Sequence, residues 1–407
     1  MKYDFTTIMN RNGKDAIAVE APLSKEASTD SFVQATIRDD FDVIPMWVAD
    51  MNFPTLPAIS KAIIARAEHP AYGYFSATQA YYDAIIHWHE SRNGATNLTK
   101  ECIGYENGVL GGVVSALRVL CSTGDKVLLQ APTYIGFTHC IEDNGWGIVL
   151  NPLVQDEKGV WRMDYADMED KIVKNEIHTA VFCSPHNPTG RVWERWEIEK
   201  AMEIYKKYNV YVVSDEIWSD LILPGYHHIP TQSVSEDARN RTIAMYAPSK
   251  TFNLAGLIGS YHIIYNEYLR ARVRQESQST HYNSLNVLSM HALIAAYSAE
   301  GAIWTDELCT VLDSNLTYAV DFIRSKFHGV KVTKPEGTYM LFLDCTDWCA
   351  AHGKTIEEMQ KSGIEVGVIW QDGRLFHGAC HVRLNLALPR TRVEEAFARL
   401  ETFVFAD

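Results

Sequence analysis

No Cys-x-x-Cys pair occurs in the chain. The eight cysteines, Cys102, Cys121, Cys140, Cys183, Cys309, Cys345, Cys349 and Cys380, are scattered, which argues against a disulfide framework or a zinc knuckle. Positive charge is also scarce: 37 lysines and arginines face 51 aspartates and glutamates, a net charge of −14 that argues against nucleic acid as a partner. No stretch approaches the roughly eighteen unbroken apolar residues of a membrane span, and Met1 to Arg11 has neither a basic start followed by an apolar run nor a cleavage-like site. A membrane partner is therefore not expected, and the expected address is the cytoplasm. Internal repeats and low-complexity runs are absent as well. What is present is a chain of 407 residues, 47% hydrophobic and 22% charged, enough for a large core and for two lobes.

The middle of the chain alternates. Lys126 to Gln130, Thr179 to Cys183, Val210 to Ser214 and Thr242 to Tyr246 are short apolar runs of the kind that form strands buried on both faces. Helical stretches such as Glu194 to Tyr208 lie between them, so an α/β fold is expected, with a mainly parallel sheet covered by helices. Val109 to Cys121 places Leu110, Val113, Val114 and Leu117 at helical spacing behind Asn107-Gly108. From about Asn286, helices (Val287 to Tyr297, Asn315 to Phe327) and strands (Gly337 to Leu343, His381 to Leu386) read as a smaller α+β lobe. The expected division is an N-terminal segment 1–50 joining the small domain, a large domain 51–285 and a small domain 286–407.

Ligands of open parallel sheets bind beyond the carboxyl ends of the strands. Four loops with informative residues fall there: Pro132-Thr-Tyr134, Ser184 to Gly190, Asp215-Glu216 and Pro248-Ser-Lys250. Each suits one part of a pyridinium ring bearing a phosphate and an aldehyde. A buried carboxylate, Asp215, can hold a ring nitrogen protonated and keep the ring an electron sink. Asn187 can donate to the ring oxygen, and Tyr134 offers a face for stacking. The backbone of Gly108, Val109 and Leu110, opening a helix, supplies N–H groups and a positive dipole end to a phosphate. Lys250, its pKa lowered by the cationic ring, is the amine that forms the Schiff base. Any one of these residues alone reads as a solvated surface group; their joint order along the chain carries the assignment.

Cys183-Ser-Pro-His-Asn-Pro-Thr-Gly190, Ser214-Asp-Glu-Ile217 and Ser249-Lys-Thr-Phe-Asn253, with Arg383, Asn385 and Ala387, resemble the class I/II aminotransferase superfamily of fold-type I pyridoxal phosphate enzymes. Pro45-Met-Trp-Val-Ala-Asp-Met51, Tyr72-Gly-Tyr74 and Arg383-Leu-Asn-Leu-Ala387 resemble its cystathionine beta-lyase branch, and the resemblance runs from roughly Asp42 to Leu400. It implies pyridoxal 5'-phosphate as cofactor, with Asn187 on the ring oxygen, Asp215 on the ring nitrogen, Lys250 as the Schiff-base lysine and Tyr134 stacked on the ring. It further implies an amino-acid substrate whose carboxylate is held by Arg383. Tyr74 would reach the phosphate of the neighbouring subunit's cofactor, which implies a homodimer.

Departures from the family pattern fall around the cofactor. Trp218 stands where relatives carry His or Tyr; its indole donates only, so it either supports the ring oxygen or merely packs. Ala247 replaces a serine offered to the phosphate, for which Ser249 is the candidate substitute, Asn52 replaces an aspartate, and Ile258 stands where transaminases often place an arginine. No metal is expected: Gly353-Lys-Thr355 lacks the first glycine of a phosphate loop, His89 to Asn93 fails as a zinc helix, His87 and His89 diverge on a helix, and His227-His228 reads as a surface loop. The branch implies β-elimination from cystathionine or another S-substituted L-cysteine, giving thiol, pyruvate and ammonia. Lys250 would remove the α-proton, while Tyr134, Tyr74 and Lys250 are all candidates to protonate the leaving sulfur. The alternative is an aminotransferase acting on an L-amino acid with the same residues.

Overall fold

A computed structural model of the chain describes residues 1–24 and 31–406; residues 25–30, inside the segment expected to join the small domain, lie outside the described residues. The chain forms two compact units. One comprises Met1–Pro54, Asn187–Gly190 and the chain from Glu307 onward; the other comprises Thr55–His186 and Arg191–Asp306.

In the first unit, β1 (Ile44–Pro45) precedes Asp50 along the chain. The second unit is built on an eight-stranded sheet of β2 (Ile103–Glu106), β3 (Lys126–Ala131), β4 (Gly147–Gln155), β5 (Trp161–Met163), β6 (Thr179–Cys183), β7 (Tyr211–Asp215), β8 (Thr242–Tyr246) and β9 (Ser260–Ile263). Its order is β2-β9-β8-β7-β6-β3-β4-β5, with β8, β7, β6, β3 and β4 mutually parallel and β9 and β5 antiparallel to their neighbours. Successive side chains of a strand face opposite ways, and this explains why these runs are apolar throughout. Val127, Leu129, Val181, Val213 and Ile243 pack beneath the helices Val109–Leu120, Ile135–Glu142 and Glu267–Thr280. Leu128, Ala180, Phe182 and Val212 pack on the other face, against Tyr165–Asn175 and Arg195–Lys207. Each fully buried Val or Leu here contributes about 1.5–3 kcal/mol relative to exposure.

The helix Arg195–Lys207 starts where Glu194 and Glu197 form a reciprocal capping box. Glu197 is fully buried and also receives Arg191 Nη2 at 2.5 Å and Arg162 Nη1 at 3.0 Å. Arg191 follows the Asn187–Gly190 excursion directly, and its carbonyl accepts from the His186 N–H at 2.8 Å. The base of that loop is thereby closed by both backbone and charge.

The first unit carries a four-stranded antiparallel sheet of β10 (Lys331–Val332), β11 (Met340–Asp344), β13 (Gln371–Asp372) and β14 (His381–Asn385) in the order β10-β11-β14-β13. β1 pairs in parallel with β12 (Val368–Ile369). Asn385 Nδ2 donates to the carbonyls of Val48 and Asp50, at 2.7 and 2.5 Å, which fixes the end of the N-terminal run on β14. Of the segment expected as a small domain, residues 286–306 belong with the second unit. The physical reason is contact: Val287–Ala296, mostly apolar, packs on the helices Pro57–Ala67 and Gln79–Asn93.

Candidate active site

Tyr134, after β3, is the N-cap of Ile135–Glu142, and its ring stands edge-on to Phe137 at 5.5 Å. A Cβ on Gly136 would come within 2.4 Å of that ring and 2.8 Å of Leu110 Cδ1. Glycine at 136 therefore leaves the space in which the Tyr134 ring lies.

Asp215 and Glu216 end β7 as two buried carboxylic acids with opposite fates. Burial pushes Glu216 up, but hydrogen bonds outweigh it and hold Glu216 below its ordinary range. The donors are His228 Nε2 at 2.8 Å, Tyr246 Oη at 2.6 Å, Ser214 Oγ at 2.9 Å and the Thr231 N–H at 3.0 Å. Asp215 accepts from the Ile217 N–H at 3.0 Å, too little to offset its burial, which pushes it up to about 7 against the pull of the N–H and of Lys250.

Lys250 lies in the turn after β8, closed by Phe252 N–H to Pro248 carbonyl and Leu254 N–H to Ser249 carbonyl, both 2.9 Å. Thr251 Oγ1 donates to Asp220 Oδ2 at 3.0 Å, and Trp88 Nε1 donates to the other oxygen at 2.9 Å. This buried anchor holds the residue next to Lys250. The Lys250 ammonium stands 5.8 Å from the centroid of the buried Trp218 ring, within cation–π range. Ala247 packs in the apolar core. Ile258, exposed, adopts φ 50°, a strained backbone for a β-branched residue.

Gly108 caps the helix Val109–Leu120 at φ 82°, a conformation that favours glycine. Of the three backbone donors expected for a phosphate, the Gly108 N–H is already committed to the Glu106 carbonyl at 3.1 Å, because the chain turns sharply out of β2. The N–H groups of Val109 and Leu110 belong to the first helical turn, which has no preceding turn to accept them. Tyr282 Oη donates to the Asn107 carbonyl at 3.1 Å and lies over Gly111, placing a hydroxyl at the helix start that the sequence did not signal.

Asn187 and Arg383 fall in the other unit. Arg383, 2% exposed, donates from Nη1 to Asn187 Oδ1 at 2.9 Å and from Nη2 to the Trp47 carbonyl at 3.2 Å and to Gln371 Oε1. Its guanidinium lies 4.5 Å from the Phe376 ring centroid. Gln371 was not foreseen from the sequence; it faces Arg383 through the β13–β14 register, which no local motif records.

Tyr134, Asp215, Trp218, Ser249, Lys250 and the helix start at Gly108 thus lie in one unit and Asn187 with Arg383 in the other, while Tyr74 is fully exposed. One expectation is corrected: His228 is not a surface-loop residue, since its side chain is 3% exposed and sits on Glu216. Glu216 draws it in, and adjacent His227 remains exposed. Among the described residues no group of His, Cys, Asp or Glu could hold a metal ion, and no helix is long and apolar enough to cross a membrane.

Residues 42–400 match the model of the family described as aminotransferase class I and II. The chain belongs to that family. Over 363 residues it is 35% identical to cystathionine beta-lyase PatB of Bacillus subtilis, covering 88% of this chain and 92% of that protein. Its fold is similar to that of cystalysin from Treponema denticola, a structure containing pyridoxal 5'-phosphate, with a TM-score of 0.89, 30% identity and coverage of 99% and 98% of the two chains. It is likewise similar to the PLP-bound C-S lyase from Staphylococcus hominis, with a TM-score of 0.87, 28% identity and coverage of 98% of each chain. Membership agrees with the α/β fold expected from the alternating strands and helices.

Proposed function

We propose that this protein is a pyridoxal phosphate-dependent carbon–sulfur β-lyase, cleaving cystathionine or another S-substituted L-cysteine to a thiol, pyruvate and ammonia, and acting as a cytoplasmic homodimer. The observation that carries the reading is Asp215 in the same unit as Lys250: a buried carboxylate short of donors, its pKa pulled down by the charge of a lysine that stands beside a buried indole. The relatives named cystathionine beta-lyase and C-S lyase support the choice of reaction within the family.

The residues fit the cofactor. An acid pushed up to about 7 by burial gains most from an adjacent cationic N–H, which a pyridinium nitrogen provides and which would return Asp215 to its ionised form. The first turn of Val109–Leu120 suits a phosphate, and Tyr134 suits the ring face. When bound, pyridoxal phosphate supplies an aldehyde for the substrate amine and a cationic ring that accepts the electron pair left by the α-proton.

Lys250 would hold the cofactor, and its amine would take the α-proton. Asp215 would keep the ring nitrogen's proton in place. Asn187 uses its carbonyl oxygen on Arg383, leaving its amide hydrogens for the ring oxygen. Arg383 receives the substrate carboxylate through its planar fork. Trp218 forms the apolar wall beside Lys250. Tyr134, Tyr74 and Lys250 are the groups able to protonate the departing sulfur. The unit of Thr55–His186 and Arg191–Asp306 would carry the cofactor, and the other unit the substrate arginine. Tyr74, exposed together with Tyr72 and Phe75, suits burial against a second copy.

Incubating the purified protein with cofactor and L-cystathionine should yield pyruvate and thiol in equal amounts, and Lys250→Ala should abolish both together with the yellow absorbance of the bound cofactor. A keto acid formed from the amino acid without release of thiol would overturn the lyase reading in favour of a transaminase. An unchanged spectrum in Lys250→Ala would overturn the lysine assignment.

A further inference from the structure

At the C-terminal end of the helix Gln79–Asn93 lies a cavity of about 370 Å³, lined by none of the groups assigned above to the cofactor or the substrate. Arg195 and Arg239 line it and, among the described residues, no aspartate or glutamate does, although the chain as a whole carries a net charge of −14. The two guanidiniums differ. Arg195 is 3.7 Å from Glu199 and half exposed. Arg239 donates to Thr96 Oγ1 at 3.2 Å and lies 4.9 Å from the Tyr265 ring centroid, and among the described residues it forms no ion pair. Two buried imidazoles complete the polar wall. His89 is held neutral by burial, which lowers it to about 3, between Tyr261 Oη at 2.8 Å and Asn93 Nδ2 at 3.1 Å. His228 gives Nε2 to Glu216 and keeps a buried Nδ1 with no hydrogen-bond partner among the described residues. Ile229, Pro230 and Ile263 supply apolar surface.

We propose that this cavity binds a small organic anion, a carboxylate or phosphate group on a short apolar body, with Arg239 as its principal anchor. The volume lies in the range of small-molecule sites. A guanidinium that is partly withdrawn from water and stacked on an aromatic ring presents a fixed fork, and its natural complement is a planar or tetrahedral oxyanion. Among the described residues, no carboxylate of the cavity wall competes for it. The proposal stands on the cavity alone and does not depend on the lyase reading.

Isothermal titration of the holoenzyme with pyruvate and, separately, with inorganic phosphate tests it, since the two probes carry the two oxyanions. Wild type should bind at least one of them, and Arg239→Ala should weaken that binding about tenfold or more. Arg239→Lys should recover part of the loss, which a folding defect would not, and Arg195→Ala should cost less than Arg239→Ala. Loss confined to pyruvate assigns a carboxylate ligand, and loss confined to phosphate assigns a phosphorylated one. Identical titrations of wild type and Arg239→Ala with both probes, or no binding of either by wild type, would overturn the proposal.

Discussion

Gln371 and Arg383 stand directly opposite one another on β13 and β14, and the amide oxygen of Gln371 accepts a hydrogen bond from Arg383 Nη2. With Asn187 on Nη1, the guanidinium plane is fixed from two sides by neutral acceptors. Gln371→Ala should therefore raise KM for the amino-acid substrate, with kcat/KM falling about ten- to a hundredfold, the worth of a hydrogen bond to a charged group. Steady-state kinetics with L-cystathionine check this. A loss confined to kcat would contradict a role in holding the arginine.

Asp215 makes the cofactor-free protein sensitive to pH. Burial raises it to about 7, above its value in the unfolded chain, so the folded state binds a proton that the unfolded state has released. Its contribution to stability is accordingly most favourable below about pH 4, falls as pH rises through the window, and is fully adverse above about pH 7, by roughly 4 kcal/mol at most. Asp215→Asn should raise the thermal midpoint of the cofactor-free protein at about pH 8 and leave it nearly unchanged at about pH 4. Cofactor affinity should fall in the same variant. Equal midpoint shifts at both pH values would exclude the carboxylate as their source.

Gly136→Ala should displace the Tyr134 ring without unfolding the domain, because the clashing atoms are the far ends of two side chains. Absorbance titration with pyridoxal phosphate should show affinity reduced roughly two- to tenfold, the scale of one aromatic stacking contact, with an unchanged far-ultraviolet dichroism spectrum. Unaltered affinity would mean that Tyr134 does not contact the ring.

Tyr74 gives a test of assembly. If it serves the site of a second copy, then Tyr74→Ala and Lys250→Ala homodimers are each impaired, but mixing them should create heterodimers with one complete site. Activity measured after the subunits are exchanged should exceed that of either variant alone. No gain after verified exchange would place Tyr74 in its own subunit's site or outside catalysis.

The strands were legible wherever burial on both faces forced unbroken apolar runs: Thr179–Cys183 and Thr242–Tyr246 coincide with the runs in the sequence, and Val109–Leu120 begins behind the expected glycine. The placement of Val287–Ala296 was not legible, because an apolar helix does not state which neighbours it covers. The rim loops offered Tyr134, Asp215 and Lys250 as candidates in chain order, and the structure places all three in one unit. The surroundings that tune them did not show: Asp220 reaches Thr251 from 31 positions away, and Gln371 meets Arg383 only through strand register. His228 was misread because a histidine pair in a loop looks solvated until the buried Glu216 that receives it is located.

The neighbouring acids at the end of β7 bear on stability in opposite ways. Glu216 is saturated with donors, so its loss would strand His228 and Tyr246 and weaken the fold itself. Asp215 weakens the empty fold and is useful only to a bound cation. A laboratory population evolved for heat resistance alone, with no demand for turnover, should discard Asp215 early and retain Glu216, separating by mutational fate two residues that differ by a single methylene.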